Sequence, residues 1–235
     1  MNRTTDSLYD ICEHAIDCLC TTYQTDRPNL WKTFQSKLTD EATDGWPTSF
    51  TDLAVYIFYA VTHQLAPSFT VYSALKGNPK YFDDVKMHLR VLFNEPENNR
   101  KFFLKEYLVD FFAASNGYKL APIATMESES KLMTNCKRGS ADEKGWEFDP
   151  FHDFDKLLIV SSPRRVYFGH VSSECLAEYC KELSNRLDEA YRSQTVLRGD
   201  EVVVILLVSL KESVEIQLME FESHRRMTQL APTYP

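Results

Sequence analysis

Glycine is scarce in this chain: there are seven in 235 residues, and no two stand in a G-x-G arrangement. That is about half the usual ~7% share. Dinucleotide and P-loop cradles need glycine so that backbone N–H groups can approach the phosphates. Neither cradle is expected here. Long apolar runs are also missing, since no stretch approaches the roughly 18 to 20 residues of a membrane span. The opening MNRTTDSLYDICEH lacks the apolar core of a secretory leader. No membrane association is expected, and a cytoplasmic location is. The six cysteines, Cys12, Cys18, Cys20, Cys136, Cys175 and Cys180, form no C-x-x-C pair, which fits reduced thiols.

Positive charge is in deficit as well. Lys and Arg total 26 against 34 Asp and Glu, for a net charge of -8. The field of such a surface repels a phosphate backbone unless a local basic patch overcomes it. Basic residues run no longer than doublets such as Arg164-Arg165 and Arg225-Arg226, so nucleic acid is not an expected partner.

What is present is the composition of a folding, globular chain, 43% hydrophobic and 26% charged. Leu8, Cys12, Ala15, Ile16, Leu19 and Tyr23 recur at helical spacing behind Thr5 and Asp6. Further helices are expected over Pro28 to Leu38, over Phe50 to Leu65, from Pro67 to Gly77, over Tyr81 to Phe93, and from Pro96 to about Ser115. In the last of these, Phe102, Phe103, Tyr107, Leu108, Phe111 and Phe112 form an aromatic stripe. The mixed, charged stretch from 118 to 153 reads as a long loop or linker.

The final third changes register. FDKLLIVSS and RRVYFGHV read as strands, Ser172 to Arg192 as a helix, and EVVVILLVSL and SVEIQLMEF as a hairpin. The expected class is therefore α+β: a helical N-terminal half (1–117), the linker, a small ββαββ two-layer sandwich with a largely antiparallel sheet (154–223), and a tail (224–235). Val202 to Val208 is apolar without alternation, which marks a strand covered on both faces. One helix covers only one face, so the helical half or a partner chain should cover the other.

Two constellations carry candidate chemistry. With Ser172 or Ser173 as helix cap, Cys175 falls in the first turn, where free N–H groups lower a thiol pKa. His170 would then be its base and Arg164 or Arg165 its oxyanion partner. The second is EFDPFHDFD, where Asp149, His152, Asp153 and Asp155 offer oxygen and nitrogen ligands to a divalent metal. A weaker pair, His14 and Cys18, lies one helical turn apart on the first helix. No third group orients the thiol pair and nothing fixes the metal geometry. The functional expectation is therefore a non-catalytic interaction or regulatory subunit, binding another protein chain or itself and needing no cofactor. The alternatives are a metal-dependent nuclease or phosphodiesterase using the acidic loop, and a Cys/His thiol hydrolase.

Overall fold

The computed structural model describes residues 7–38, 48–66, 69–73, 100–104, 109–115, 122–134, 149, 151–220 and 228–229. Three helices come first: α1 (Leu8–Tyr23), α2 (Arg27–Leu38) and α3 (Thr48–Leu65). Ser7 caps α1, accepting from the Asp10 amide while Asp10 reaches back to the Ser7 amide, so two otherwise orphaned donors are satisfied reciprocally. Strands β1 (Phe69–Ser73), β2 (Arg100–Leu104), β3 (Phe111–Ser115) and β4 (Pro122–Met133) follow. The chain then alternates through α4 (His152–Ile159), β5 (Arg164–Ser172), α5 (Leu176–Arg192), β6 (Glu201–Ser209), β7 (Val214–Glu220) and β8 (Thr228–Gln229).

The eight strands among the described residues form one sheet in the order β2-β1-β3-β4-β5-β6-β7-β8. Strands β4, β5 and β6 run parallel at its centre, joined by crossovers that contain α4 and α5, whereas β3 and β7 flank them antiparallel. On one face Ala124, Met126, Val166, Phe168, Val203, Ile205 and Leu207 pack under α1, α2 and α3. On the other, Tyr167, Val171, Val202, Val204, Leu206 and Val208 pack under α4 and α5. The alternation of side chains along each strand sends neighbours to opposite cores, so the unbroken apolar run of β6 is buried twice over. Its second cover is the chain's own N-terminal helices.

The mixed α and β class holds, but several expected elements change. Residues expected in helices from 67 to 77 and from 96 to 115 contain β1, β2 and β3, so the N-terminal half is not wholly helical. The linker expected over 118 to 153 contains β4, a twelve-residue strand. FDKLLIV is the body of α4, not a strand. The limits expected at 117 and 153 coincide with no break in the sheet, because β3, β4 and β5 are neighbours. In the expected tail, Thr228 and Gln229 pair with β7. The helix expected over 81 to 93 lies outside the described residues, as do residues 135–148 of the expected linker. Among the described residues no helix is long and apolar enough to cross a membrane.

Candidate functional site

The sheet separates the expected thiol pair. His170 faces the α1 to α3 layer, its Nε2 2.8 Å from Ser209 Oγ and its ring stacked 6.1 Å from that of Phe50. Cys175 is itself the cap residue of α5, without a side-chain capping bond, and it packs against the opposite core. Arg164 pairs with Glu201 at 3.1 Å. Arg165, only 1% exposed, pairs with Asp200 at 2.9 Å and donates to the carbonyls of Leu157, Val160 and Thr195. Both arginines are thereby committed to structure. Burial pushes the thiols of Cys20 and Cys180 up to about 11, away from the reactive thiolate form. His14 Nε2 and Cys18 Sγ do meet, at 3.5 Å on an exposed face. The broad groove of about 850 Å3 nearby, at the α1–α2 corner and lined by Asp17, Gln24, Asp26 and Lys32, gathers no further ligand around them.

The acidic stretch divides in two. Asp149 and Asp155 both bind Arg186 of α5, and His152 is exposed. Asp153 turns the other way, to a group of charged residues that the sequence reading missed. Its carboxylate accepts from Lys156 Nζ at 2.8 Å, and the same ammonium lies 3.0 Å from Glu127 Oε1. Glu127 and Glu129 project from the α4 face of β4. Since Phe111 of β3 pairs with Met126, the preceding Asp110 falls opposite Glu127. Four carboxyl groups, one just before β3, two from β4 and one from α4, thus lie close together, with Lys156 among Glu127, Asp153 and Asp110 and with Lys131 beside Glu129.

Glu127 is fully buried, and neither carboxylate oxygen makes a well-directed hydrogen bond, despite the nearby ammonium. The hydroxyl of Thr125, two residues earlier on the same face, is also buried without a partner. Burial, with repulsion from Asp110, raises Glu127 to about 9 against the opposing pull of Lys156. Burial is also the main cause at Glu129, raised to about 7, where a hydrogen bond shared with Asp153 adds to it. Asp110 is raised by burial, although the Ser128 amide and hydroxyl bind it at 3.0 and 2.8 Å. Lys156 is lowered by burial, but its bonds to Asp153 and Glu127 outweigh this and hold it charged. Burial and mutual repulsion therefore favour the protonated forms of Glu127 and Glu129.

Behind the cluster, Tyr167 of β5 and Tyr179 of α5 join hydroxyls at 2.9 Å. Gly169, the register partner of Glu129, leaves them room. With Lys156 between Glu127 and Asp153, no three carboxylates close on one point, and among the described residues no group of His, Cys, Asp and Glu side chains is set to hold an ion. A cation would have to displace the ammonium.

No protein-family model, curated protein or solved structure matches this chain.

Proposed function

We propose that the protein is a divalent-cation-dependent phosphodiester hydrolase of the nuclease or phosphodiesterase kind, and that the cluster on β3, β4 and α4 is its active site. The observation that carries the reading is Glu127: a fully buried carboxyl whose ion-pair partner is the half-buried Lys156 ammonium, beside three further carboxyls. Carboxyl oxygens are the donors that Mg²⁺ or Mn²⁺ takes, although the described side chains would have to rearrange to enclose one. A cation among Asp110, Glu127, Glu129 and Asp153 would take the place that Lys156 and shared protons now fill. The displaced ammonium, on a helix facing the same point, would then meet the phosphate oxygens and offset charge developing on them. Such a cation polarises the phosphoryl group and lowers the pKa of a bound water, the two contributions that phosphodiester cleavage asks for.

This deepens one alternative from the sequence and relocates it. Asp153 alone of the acidic stretch takes part, while Asp149 and Asp155 are tied to Arg186. The interaction-subunit expectation stood on a sheet face in want of cover, and the chain supplies that cover itself. It remains a proposal with no geometric feature in its favour.

The test is turnover of bis(p-nitrophenyl) phosphate and of a short oligonucleotide with Mg²⁺ or Mn²⁺. Glu127→Gln and Lys156→Ala should each lower the rate by at least about a hundredfold, of the order seen when one electrostatic group is removed from an active site. Arg27→Ala, which breaks pairs with Asp17 and Glu13 on α1, should leave it unchanged. Cation-independent turnover, or full activity in Glu127→Gln, would overturn the proposal.

A further inference from the structure

We propose that Ser209 and His170 form a nucleophile–base pair able to cleave small carboxylic esters, a second activity that uses none of the clustered carboxyls. The pair lies on the α1 to α3 face of the sheet, whereas Glu127 and Glu129 project from the other.

On that face the apolar surface of the central strands turns polar at one rim. Along β5, Val166 and Phe168 enter the first core and His170 takes the next position on the same side; along β6, Val203, Ile205 and Leu207 are followed by Ser209. His170 is the register partner of Leu207, and Ser172 that of Ser209, so the imidazole reaches diagonally to the hydroxyl of the adjacent strand. Its Nε2 stands 2.8 Å from Ser209 Oγ, the separation a base needs from the group whose proton it takes. Strands β5 and β6 run parallel, and this rim holds their carboxyl ends, where open sheets present ligand-binding groups. Both residues are half-buried, shielded from bulk water without being sealed from it.

Each partner is held in place. The His170 ring stacks on that of Phe50, with centroids 6.1 Å apart and planes at 19°, and Phe50 packs in turn against Phe168 and Trp31. That stack fixes the plane in which Nε2 meets the hydroxyl, the orienting task that a third group performs in other nucleophile–base pairs. Ser209 ends β6, its carbonyl accepting from the Ser173 amide at 2.9 Å, while the Leu210 amide donates to the Ser213 carbonyl at 2.8 Å. Neither amide is directed at an oxyanion, which points to activated esters and not amides as substrates. Val214, the register partner of Ser209, packs partly buried on the same face and suits a small apolar acyl group.

With the ring proton on Nδ1, Nε2 accepts the Ser209 proton as Oγ bonds to the ester carbon. The tetrahedral intermediate then breaks its bond to the alkoxy oxygen, which takes that proton and leaves as an alcohol. Water attacks the acyl-serine in the same way, passing its proton to Nε2, and Oγ recovers a proton as the carboxylic acid departs. Ester and water become acid and alcohol, and nothing else is consumed.

The experiment is labelling of the full chain by a fluorophosphonate probe, located by peptide mass spectrometry, with p-nitrophenyl acetate hydrolysis and thermal melting measured on the same samples. Wild-type protein should be labelled at Ser209, and Ser209→Ala should lose both that label and the hydrolysis. His170→Gln, which keeps a side chain able to bond Ser209, should slow labelling by about a hundredfold or more, the share of a general base; it decides the matter if Ser209→Ala does not fold. Ser173→Ala, on an exposed neighbour, should leave labelling unchanged. Chelation by EDTA should also leave it unchanged, which separates this pair from the cation-dependent site. Absence of label at Ser209, labelling that requires a divalent cation, or wild-type labelling in folded His170→Gln would each overturn the proposal.

Discussion

Glu127 ties stability to pH with a definite sign. Its carboxyl is held protonated to about pH 9 in the folded chain, against an ordinary value of 4.5. The folded state therefore binds more protons than the unfolded one across that window, and the associated stability is full below about pH 4.5 and lost as pH rises toward 9. Glu129, raised to about 7, acts in the same direction over the lower part of that range. The melting temperature should fall between pH 6 and pH 9, and should fall less in Glu127→Gln, which has nothing to ionise there. Mg²⁺ should blunt the fall in the wild type only; parallel melting curves for the two proteins would argue against this assignment. Gly169 is the second residue with a sharp consequence. A Cβ there would stand 2.9 Å from Tyr167 Cε1, 3.1 Å from Leu206 Cδ2 and 3.3 Å from the Tyr179 hydroxyl. Gly169→Ala should cost about 1–3 kcal/mol, the usual range for overfilling a core, measured by urea denaturation.

Among the elements, β4 and α4 show why the site was hard to read in the sequence. PIATMESESKLM places Thr125, Glu127 and Glu129 at every second position, which is strand periodicity, but those positions are polar on the face that enters a core. A buried face made of acids reads as a solvated loop, so the residues that build the cluster also concealed the strand carrying them. Helix α4 failed differently. Its apolar run is short, and runs of that length suit a strand or a helix turn equally; only the spacing of Phe151, Phe154, Leu157 and Leu158, all buried, marks a helical face. Strands β2 and β3 carry short aromatic runs that fit one aromatic helix for the same reason. By contrast α1, α5 and the β6–β7 hairpin were legible, because each keeps one periodicity over its whole length. Asp153 was the one member of the cluster visible beforehand, and only as part of a different grouping. Arg165 joins α4, β5 and the segment after α5. Its loss would leave Asp200 only the Leu197 amide and remove the donor from three carbonyls, so Arg165→Ala should destabilise by about 3–5 kcal/mol, as breaking a buried pair does, with denaturant midpoint as the measurement.

For the whole molecule, the doubly covered central strand was the inference from sequence that fared best. Seven consecutive residues, Val202 to Val208, are all buried, and odd and even positions enter different cores. Ile205→Ala and Leu206→Ala should therefore both be costly, each by about 2–5 kcal/mol, although one opens a space beneath the first helices and the other beneath α5. A large loss at one site with almost none at the other would show that one layer is loosely held. What the sequence could not reveal was which chain supplied the second layer, since covering a strand fixes the chemistry of the cover and not its origin.

That arrangement also has a temporal side. The amide of Leu8 donates to Glu201, 193 residues later, at 2.7 Å, and the oily faces of α1 and α2 rest on strands made long after them. A ribosome therefore releases these helices long before their seat exists. Until β6 and β7 emerge, the nascent chain must carry bare greasy surface, the condition in which growing polypeptides aggregate or recruit chaperones.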